Sequence, residues 1–411
     1  MINGSAAKKK LPASGVLVKH VLPERVMRVL IDGRKILDGG IGVHTENTIQ
    51  ALLAQDNVDV SVILDPEIRK APEVARSSWL ERVDVVKDAA RPYSLDEAFC
   101  MPRRVDFSHY DVFHVPHFTL PFGIKIPTVI TVHDLIHIKY PEHIYYPWVA
   151  RILIKSALRR ASRVLTVSQA TYDDLVEFVG SNEKLRSKLR VVPNALDPFF
   201  LKNPQGSEYL LNRFKLQGDY LLTVFSTVKP HKGVSDLLAA FKALKDRQRL
   251  TAAATPEGQV INDLKLVLVG KGTETLVERE RLLDIVGSIP GVYVFGAVSK
   301  EELLNLYARA LGVVVPSKIE GFCLPVIESH AQGTPVVVRP VPAIRELVTE
   351  RDIICGDLSG PALESGLMEL IRRHCSGKVL RGWPNLRRYD RDDIGRTMMA
   401  VYAEAVGAGV R

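Results

Sequence analysis

The sequence predicts an α/β protein built from two doubly wound parallel-sheet domains. Three observations carry this. Short apolar runs of strand length alternate with helix-length patterns along the chain, the arrangement that feeds parallel sheets. The alternation lapses in a linker near Pro198 to Gln217 and restarts at Tyr220. A chain of 411 residues is long enough for two cores of ordinary size. In the first half, Val26 to Ile31 reads as the opening strand. Asp38-Gly39-Gly40-Ile41-Gly42 reads as a loop leading to a helix over Val43 to Ala54. Strands follow at Val58–Leu64, Val112–Val115, Thr128–Val132 and Arg163–Val167. Ser168 is placed to cap a helix over Gln169–Phe178, and Leu189–Pro193 closes the half. In the second half, Tyr220–Phe225 is a strand and Lys232-Gly233 opens a helix over Val234–Lys245. Arg247 to Asp263 is polar, contains Thr255-Pro256-Glu257-Gly258, and reads as a flexible loop. Leu264–Val269 and Gly291–Phe295 are strands. Ser299 with Glu302 forms a capping box for the helix Glu301–Ala310. The expected organisation is a tail at 1–25, one domain at 206–390, and another at 26–205 to which a helix within 391–411 returns.

Composition narrows the function classes. Apolar residues make up 46% and charged residues 25%, as in ordinary globular proteins. No run approaches the length of a membrane-spanning helix, and the Lys-rich N-terminus lacks the apolar core of a signal peptide. Cys100, Cys323, Cys355 and Cys375 form no Cys-x-x-Cys pair, which fits a reduced cytoplasmic setting. The net charge of +8 falls mostly in the N-terminal half. No nucleic-acid motif accompanies it, so an anionic membrane surface, a phosphorylated acceptor or a merely solvated basic face are the readings left. Trp148 to Arg160 is a basic amphipathic stretch, suited either to the inner face of a membrane or to packing as a helix with a basic outer side.

The most informative segment is Glu320-Gly321-Phe322-Cys323-Leu324-Pro325-Val326-Ile327-Glu328. It follows the apolar run Leu311–Pro316 and enters a short helix, Val326–Gln332, that stops at Gly333-Thr334-Pro335. One carboxylate therefore stands at a strand's C-terminal end and the other in the first turns of the next helix. Between them lie amides without intrahelical acceptors. Open α/β sheets bind ligands at strand C-termini, and helix N-termini attract phosphate. Two acids flanking such a site suit a ligand with hydroxyls on both sides of its phosphates, as in a nucleotide-sugar.

Taken in order, Lys232-Gly233, Leu266-Val267-Leu268-Val269-Gly270, Val298-Ser299-x-Glu301-Glu302-Leu303-x-x-Leu306-Tyr307 and Val315-Pro316-Ser317-x-x-Glu320-Gly321-Phe322-x-Leu324-Pro325-x-x-Glu328 resemble the retaining glycosyltransferases of family four, which have the GT-B fold. The first half is similar through Gly39-Gly40-Ile41-Gly42, Val132-His133-Asp134, Val167-Ser168 and Val192-Pro193-Asn194-Ala195-Leu196-Asp197. The resemblance implies two Rossmann-like domains facing across a cleft, with the donor nucleotide-sugar held by the C-terminal domain and the acceptor by the N-terminal one. It implies that Glu328 accepts hydrogen bonds from the ribose, that Glu320 meets the transferred sugar, and that Lys232 neutralises the diphosphate with no competing partner. The amides of Gly321, Phe322, Cys323 and Leu324 would face the sugar and phosphates. Gly40, Gly42, Ser226, Thr227 and Lys229 join the donor side, and His133 the catalytic set. Ile41, His117 and Asp134 are candidates for the acceptor side, together with His114. The implied donor is a nucleotide diphosphate sugar, the acceptor a saccharide or lipid-linked saccharide, and no metal or other cofactor is required.

Two positions depart from the family pattern. Thr227 stands where an arginine is common, and Cys323 where a glycine is usual. The Lys229-Pro230-His231-Lys232 run resembles mannosyltransferases of the family, which favours GDP-mannose. Two other readings stay open at this level. One is a non-hydrolysing sugar-nucleotide epimerase on the same fold. The other is a nucleotide-sugar-binding protein without catalysis.

Overall fold

The computed structural model describes residues 26–409, apart from 142, 207, 227–228, 252–254, 271–285, 288, 379–380 and 383–384. The expected tail at 1–25 and the donor-side candidate Thr227 thus lie outside the described residues.

The first sheet holds β1 (Met27–Asp32), β2 (Val58–Leu64), β3 (Asp84–Lys87), β4 (Val112–Val115), β5 (Thr128–Val132), β6 (Arg163–Thr166) and β7 (Leu189–Val191) in the order β3-β2-β1-β4-β5-β6-β7. The second holds β8 (Tyr220–Phe225), β9 (Lys265–Gly270), β10 (Val292–Phe295), β11 (Gly312–Val315), β12 (Val336–Val338) and β13 (Ile353–Ile354) in the order β10-β9-β8-β11-β12-β13. Every pairing in both sheets is parallel. The central strands are buried from end to end, as in Val313-Val314-Val315, because helices cover both faces. Each sheet accordingly carries two apolar clusters, one per face.

The anticipated strands form within a residue or two of their expected ends. The short edge strands β3 and β13 were not anticipated. Three helical expectations are corrected. The first helix, α1 (Gly39–Leu53), starts four residues early, so Gly39-Gly40-Ile41-Gly42 is its first turn rather than a loop. A Cβ at Gly42 would stand 2.1 Å from the Ile36 carbonyl oxygen, so the chain folds back on itself there only because the residue is glycine. The stretch read as a flexible loop is partly helical. Val234–Thr251 is one helix, and Thr255 caps a second, Pro256–Asp263, by accepting from the Gly258 amide at 3.1 Å. The anticipated linker is also structured. Pro198–Leu201 forms a 3₁₀ turn and Glu208–Phe214 a helix, with Phe200, Leu210 and Leu216 buried in the second half's core.

The last helix, Arg391–Gly409, leaves the second half and lies on the first sheet. Ile394, Met398, Met399, Val401, Tyr402 and Ala405 enter the core with Val29, Ile49 and Leu52. A Cβ at Gly395 would meet the Ala51 carbonyl at 2.4 Å, so this helix and α1 touch backbone to backbone. Tyr402 Oη lies 2.7 Å from His114 Nδ1, and Glu404 bridges Arg163 and Arg190.

Candidate active site

The C-terminal ends of the two sheets meet. The turn after β1 brings Gly39 against Ser226 at the end of β8; a Cβ on Gly39 would stand 3.4 Å from that of Ser226. The end of β5 presses on the loop after β11. A Cβ on Gly321 would stand 1.9 Å from the His133 carbonyl oxygen. Gly321 is thus a glycine because two backbones from different halves touch there. The Thr171 hydroxyl donates to the same His133 carbonyl at 3.0 Å. Glu346 of the second half caps the helix Gln169–Val179 of the first, accepting from the amides of Gln169 at 3.0 Å and Ala170 at 2.7 Å.

Lys232 closes a 3₁₀ turn, Pro230–Lys232, and precedes Gly233, whose φ of 69° is left-handed. A Cβ on Gly233 would lie 2.1 Å from the Pro316 carbonyl, so this turn fits under the segment leading to Glu320 only with glycine. Arg339, at the end of β12, is wholly buried behind it and donates to the Pro316 carbonyl at 2.8 Å and to Asp236 at 2.7 Å. This places Lys232 Nζ 2.7 Å from Glu320 Oε1, in a pair mostly shielded from water. Burial pulls the Lys232 ammonium down, but the Glu320 carboxylate outweighs it and the net shift is upward. The expectation of a lysine without a partner is therefore corrected. The charge on Lys232 is held by Glu320.

The loop after Glu320 continues into the helix Leu324–Ala331. Among the described residues, no acceptor is bonded to the amides of Gly321, Phe322, Cys323 or Leu324. Phe322 anchors the loop in the core, its ring 5.8 Å from that of Tyr389. Cys323 is the N-cap with φ 101° and ψ 76°, a conformation that side chains other than glycine's rarely adopt. That accounts physically for the glycine usual at this position. Burial pushes the Cys323 thiol well up, so it stays protonated and is no nucleophile.

Glu328, half-buried in that helix, accepts from the Tyr307 hydroxyl at 2.7 Å. Burial raises its carboxyl to about 7, against a lowering contribution from Tyr307. Tyr307 was not singled out from the sequence, although it lies in the Leu306-Tyr307 motif. Its role as a partner for Glu328 depends on a contact across 21 residues.

On the facing side, His133 Nε2 donates to the Pro116 carbonyl at 2.9 Å, which leaves Nδ1 as the acceptor nitrogen. Burial lowers its basicity, so the ring is neutral. His44 meets it edge-on at 4.7 Å and is itself tied to Asn194 at 2.7 Å. Gly40 has no neighbour within 4 Å of a notional Cβ, so its backbone is open to an approaching group, and Ile41 beside it is partly exposed. Lys229 and the exposed Ser226 flank the turn at the end of β8.

Two acceptor-side expectations change, while Asp134 stays partly exposed, its Cβ 3.1 Å from a notional Cβ on Gly321. His114 is fully buried and bonded to Thr131 and Tyr402, so it belongs to the core. His117 is also buried, with Nδ1 2.8 Å from the Thr119 hydroxyl, and so does not line an open surface. Asp134 caps a short turn by accepting from Ile136 N at 2.9 Å. His117, Asp32 and Glu97 do bring three potential metal-ligating atoms within 4.8 Å of one another. The Arg34 guanidinium, however, donates to both carboxylates, at 2.5 Å to Asp32 and 2.8 Å to Glu97. The donor set therefore suits a cation already supplied by the chain.

Two facing parallel sheets with a lysine–glutamate pair and a free helix start at their junction define the GT-B class. The family profiles "Glycosyltransferase Family 4" and "Glycosyl transferases group 1" match residues 38–199 and 212–374, leaving little between them uncovered. The chain belongs to glycosyltransferase family four. Curated relatives include the O-antigen chain mannosyltransferase RfbU of Salmonella typhimurium, 25% identical over 60% of this chain and 60% of that protein. The MMP alpha-(1->4)-mannosyltransferase of Mycolicibacterium hassiacum is 33% identical over 57% of this chain and 49% of that protein. The matched regions span only about half to two thirds of these relatives. Among solved structures, sucrose-phosphate synthase from Thermosynechococcus elongatus superposes with a TM-score of 0.67 at 17% identity, covering 93% of this chain and 100% of that one. HepE of Anabaena, solved with UDP-glucose, gives 0.61 at 17% identity, covering 92% and 99%. At that identity the likeness concerns the fold alone.

Proposed function

We propose that this chain is a retaining hexosyltransferase that moves a sugar, mannose in the favoured reading, from a nucleotide diphosphate donor to a hydroxyl of a saccharide or lipid-linked acceptor. The observation that carries it is the Lys232–Glu320 pair beside the unbonded amides of Gly321 to Leu324. A diphosphate entering there displaces Glu320 from Lys232, and the freed carboxylate turns to the hydroxyls of the sugar. Glu328 holds the ribose. The anomeric carbon–oxygen bond to the β-phosphate breaks and a new bond to the acceptor oxygen forms on the same face. The acceptor proton passes to the leaving phosphate oxygen. Lys232 and the amides stabilise the charge that develops on that oxygen. Neutral His133, with Nε2 donating to Pro116, keeps Nδ1 as a hydrogen-bond acceptor for a sugar hydroxyl. No metal is required, because the chain supplies the positive charge. The mannosyltransferases among its relatives support the choice of sugar.

Turnover of GDP-mannose should drop by ~10²–10³ in Lys232→Ala. In Glu320→Gln, turnover should also fall while free nucleoside diphosphate binds more tightly, because Lys232 is released. A Glu320→Gln variant that binds the diphosphate more weakly would contradict the exchange.

The same proposal places the enzyme at the cytoplasmic face of a membrane. The helix Tyr146–Arg160 exposes Trp148 to 73% and Ile152 to 69%, next to exposed Arg151, Lys155 and Arg159, with Ile144 91% exposed just before it. An apolar ridge edged by cations suits an anionic lipid surface. Among the described residues, no helix is long and apolar enough to cross a membrane.

A further inference from the structure

One cavity of about 370 Å³ lies on the acceptor side, lined among others by Lys35, Asp38, Asp65, Arg91 and Tyr93. Lys35 and Asp38 pair at 2.8 Å and lead directly into Gly39, which abuts Ser226, so the cavity borders the junction where donor and acceptor must meet. Its lining mixes donors with acceptors and presents one exposed aromatic face, since Tyr93 is 46% exposed and Lys35 sits 4.7 Å from its ring centroid. From Tyr93 a row of rings runs outward. Phe118 is 5.8 Å from Tyr93, His137 is 5.9 Å from Phe118, and Tyr146 is 6.3 Å from His137. His143 and Tyr145 continue it, at 4.7 and 5.0 Å from Tyr146. Every member is at least partly exposed. The row therefore ends at the exposed start of the helix Tyr146–Arg160.

Resting on the transferase reading, we infer that this row is an extended acceptor subsite for a saccharide chain of several sugars, with its growing end in the cavity beside Tyr93. A pyranose has an apolar C–H face and a rim of hydroxyls that both donate and accept. The exposed parts of the rings along the row take the first, and Lys35, Asp38, Arg91 and the imidazoles of His137 and His143 take the second. A hydrocarbon tail would gain nothing from those polar groups.

The test is calorimetric titration of the full chain, with GDP present, using linear α-manno- and gluco-oligosaccharides of one to five sugars. The expected result is a Kd that falls by about tenfold between one sugar and four for one of the series. His137→Ala and Tyr93→Ala should flatten that dependence, and Tyr93→Phe, which keeps the ring, should preserve it. Equal Kd at all lengths, an unaltered slope in the alanine variants, or tighter binding only of sugars carrying an alkyl tail would overturn the inference. Turnover of GDP-mannose, measured separately, distinguishes the two readings. Its absence counts against the transferase, whereas turnover with a flat length dependence counts against the aromatic row alone.

Discussion

Glu328 illustrates what a single residue's surroundings do to its chemistry. Its carboxyl, raised by burial to about 7 from an ordinary 4.5, is largely protonated at pH 6 and largely ionised at pH 8. Only the ionised form accepts from two ribose hydroxyls at once. Nucleotide affinity should therefore rise with pH and level off above about 7, and Glu328→Gln should abolish the rise; a wild-type Kd that is flat between pH 6 and 8 would refute the assignment. The unliganded wild type should also lose stability relative to Glu328→Gln as pH climbs from about 4.5 through 7, because the folded state holds that proton more tightly than the unfolded one. Cys323 is the second case. Its φ of 101° costs a non-glycine residue ~1–3 kcal/mol. Cys323→Gly should raise the melting temperature and keep activity, whereas Cys323→Val should lower it; thermal unfolding of the two variants decides. The sequence indicated that an amide was needed at Cys323 and carboxylates at Glu320 and Glu328. It did not indicate that Lys232 would be paired, because that contact spans 88 residues and depends on Gly233 fitting under Pro316.

Among the elements, those set by local chemistry were legible. Ser168 caps its helix through the Thr171 amide, and Ser299 forms the full capping box with Glu302. Buried strands such as Leu266-Val267-Leu268-Val269 announce themselves by continuous apolar character. The misread elements have weaker or ambiguous signals. β13 has only two residues and β3 is bordered by charge, so neither stands out from a loop. Thr255-Pro256 can start a turn or a helix, and here packing of Ile261 into the core selects the helix. Gly39-Gly40-Ile41-Gly42 resembles a loop because its glycines answer to tertiary contacts with Ser226 and Ile36. The helix Tyr146–Arg160 reads from the sequence as either core-packed or membrane-facing; its inner side packs on the core, and membrane contact by its exposed side remains the proposal above. Ala150, Ile154, Ala157 and Leu158 face the core, while Trp148 and Ile152 face out. The protein should sediment with vesicles containing about a third anionic lipid, less so at high salt. The double variant Trp148→Ala, Ile152→Ala should lose that binding with its melting temperature retained. Equal sedimentation of variant and wild type would remove this helix from the proposal.

At the scale of the molecule, the two sheets are joined by contacts that also build the site. Gly321 against His133, Thr171 bonded to the His133 carbonyl, and Glu346 capping a helix of the other half bring the facing strand ends together. Asp197 adds a second tie, bonded to both Lys300 and Arg391. The returning helix fastens the chain's end to its first sheet through Tyr402 and Glu404. On the proposed function, a reaction at such a junction would take place between two facing surfaces, which would limit hydrolysis of the donor. The central claim is that the donor's own phosphate accepts the proton while Lys232 and the loop amides carry the charge, so that the new bond forms on the face the old one left. The most direct measurement is proton NMR of the product formed from GDP-α-mannose and an oligosaccharide acceptor. An α-configured linkage, formed ~10²–10³ times more slowly by Lys232→Ala than by the wild type, is the predicted result. A β-configured linkage, or transfer undiminished in Lys232→Ala, would contradict it.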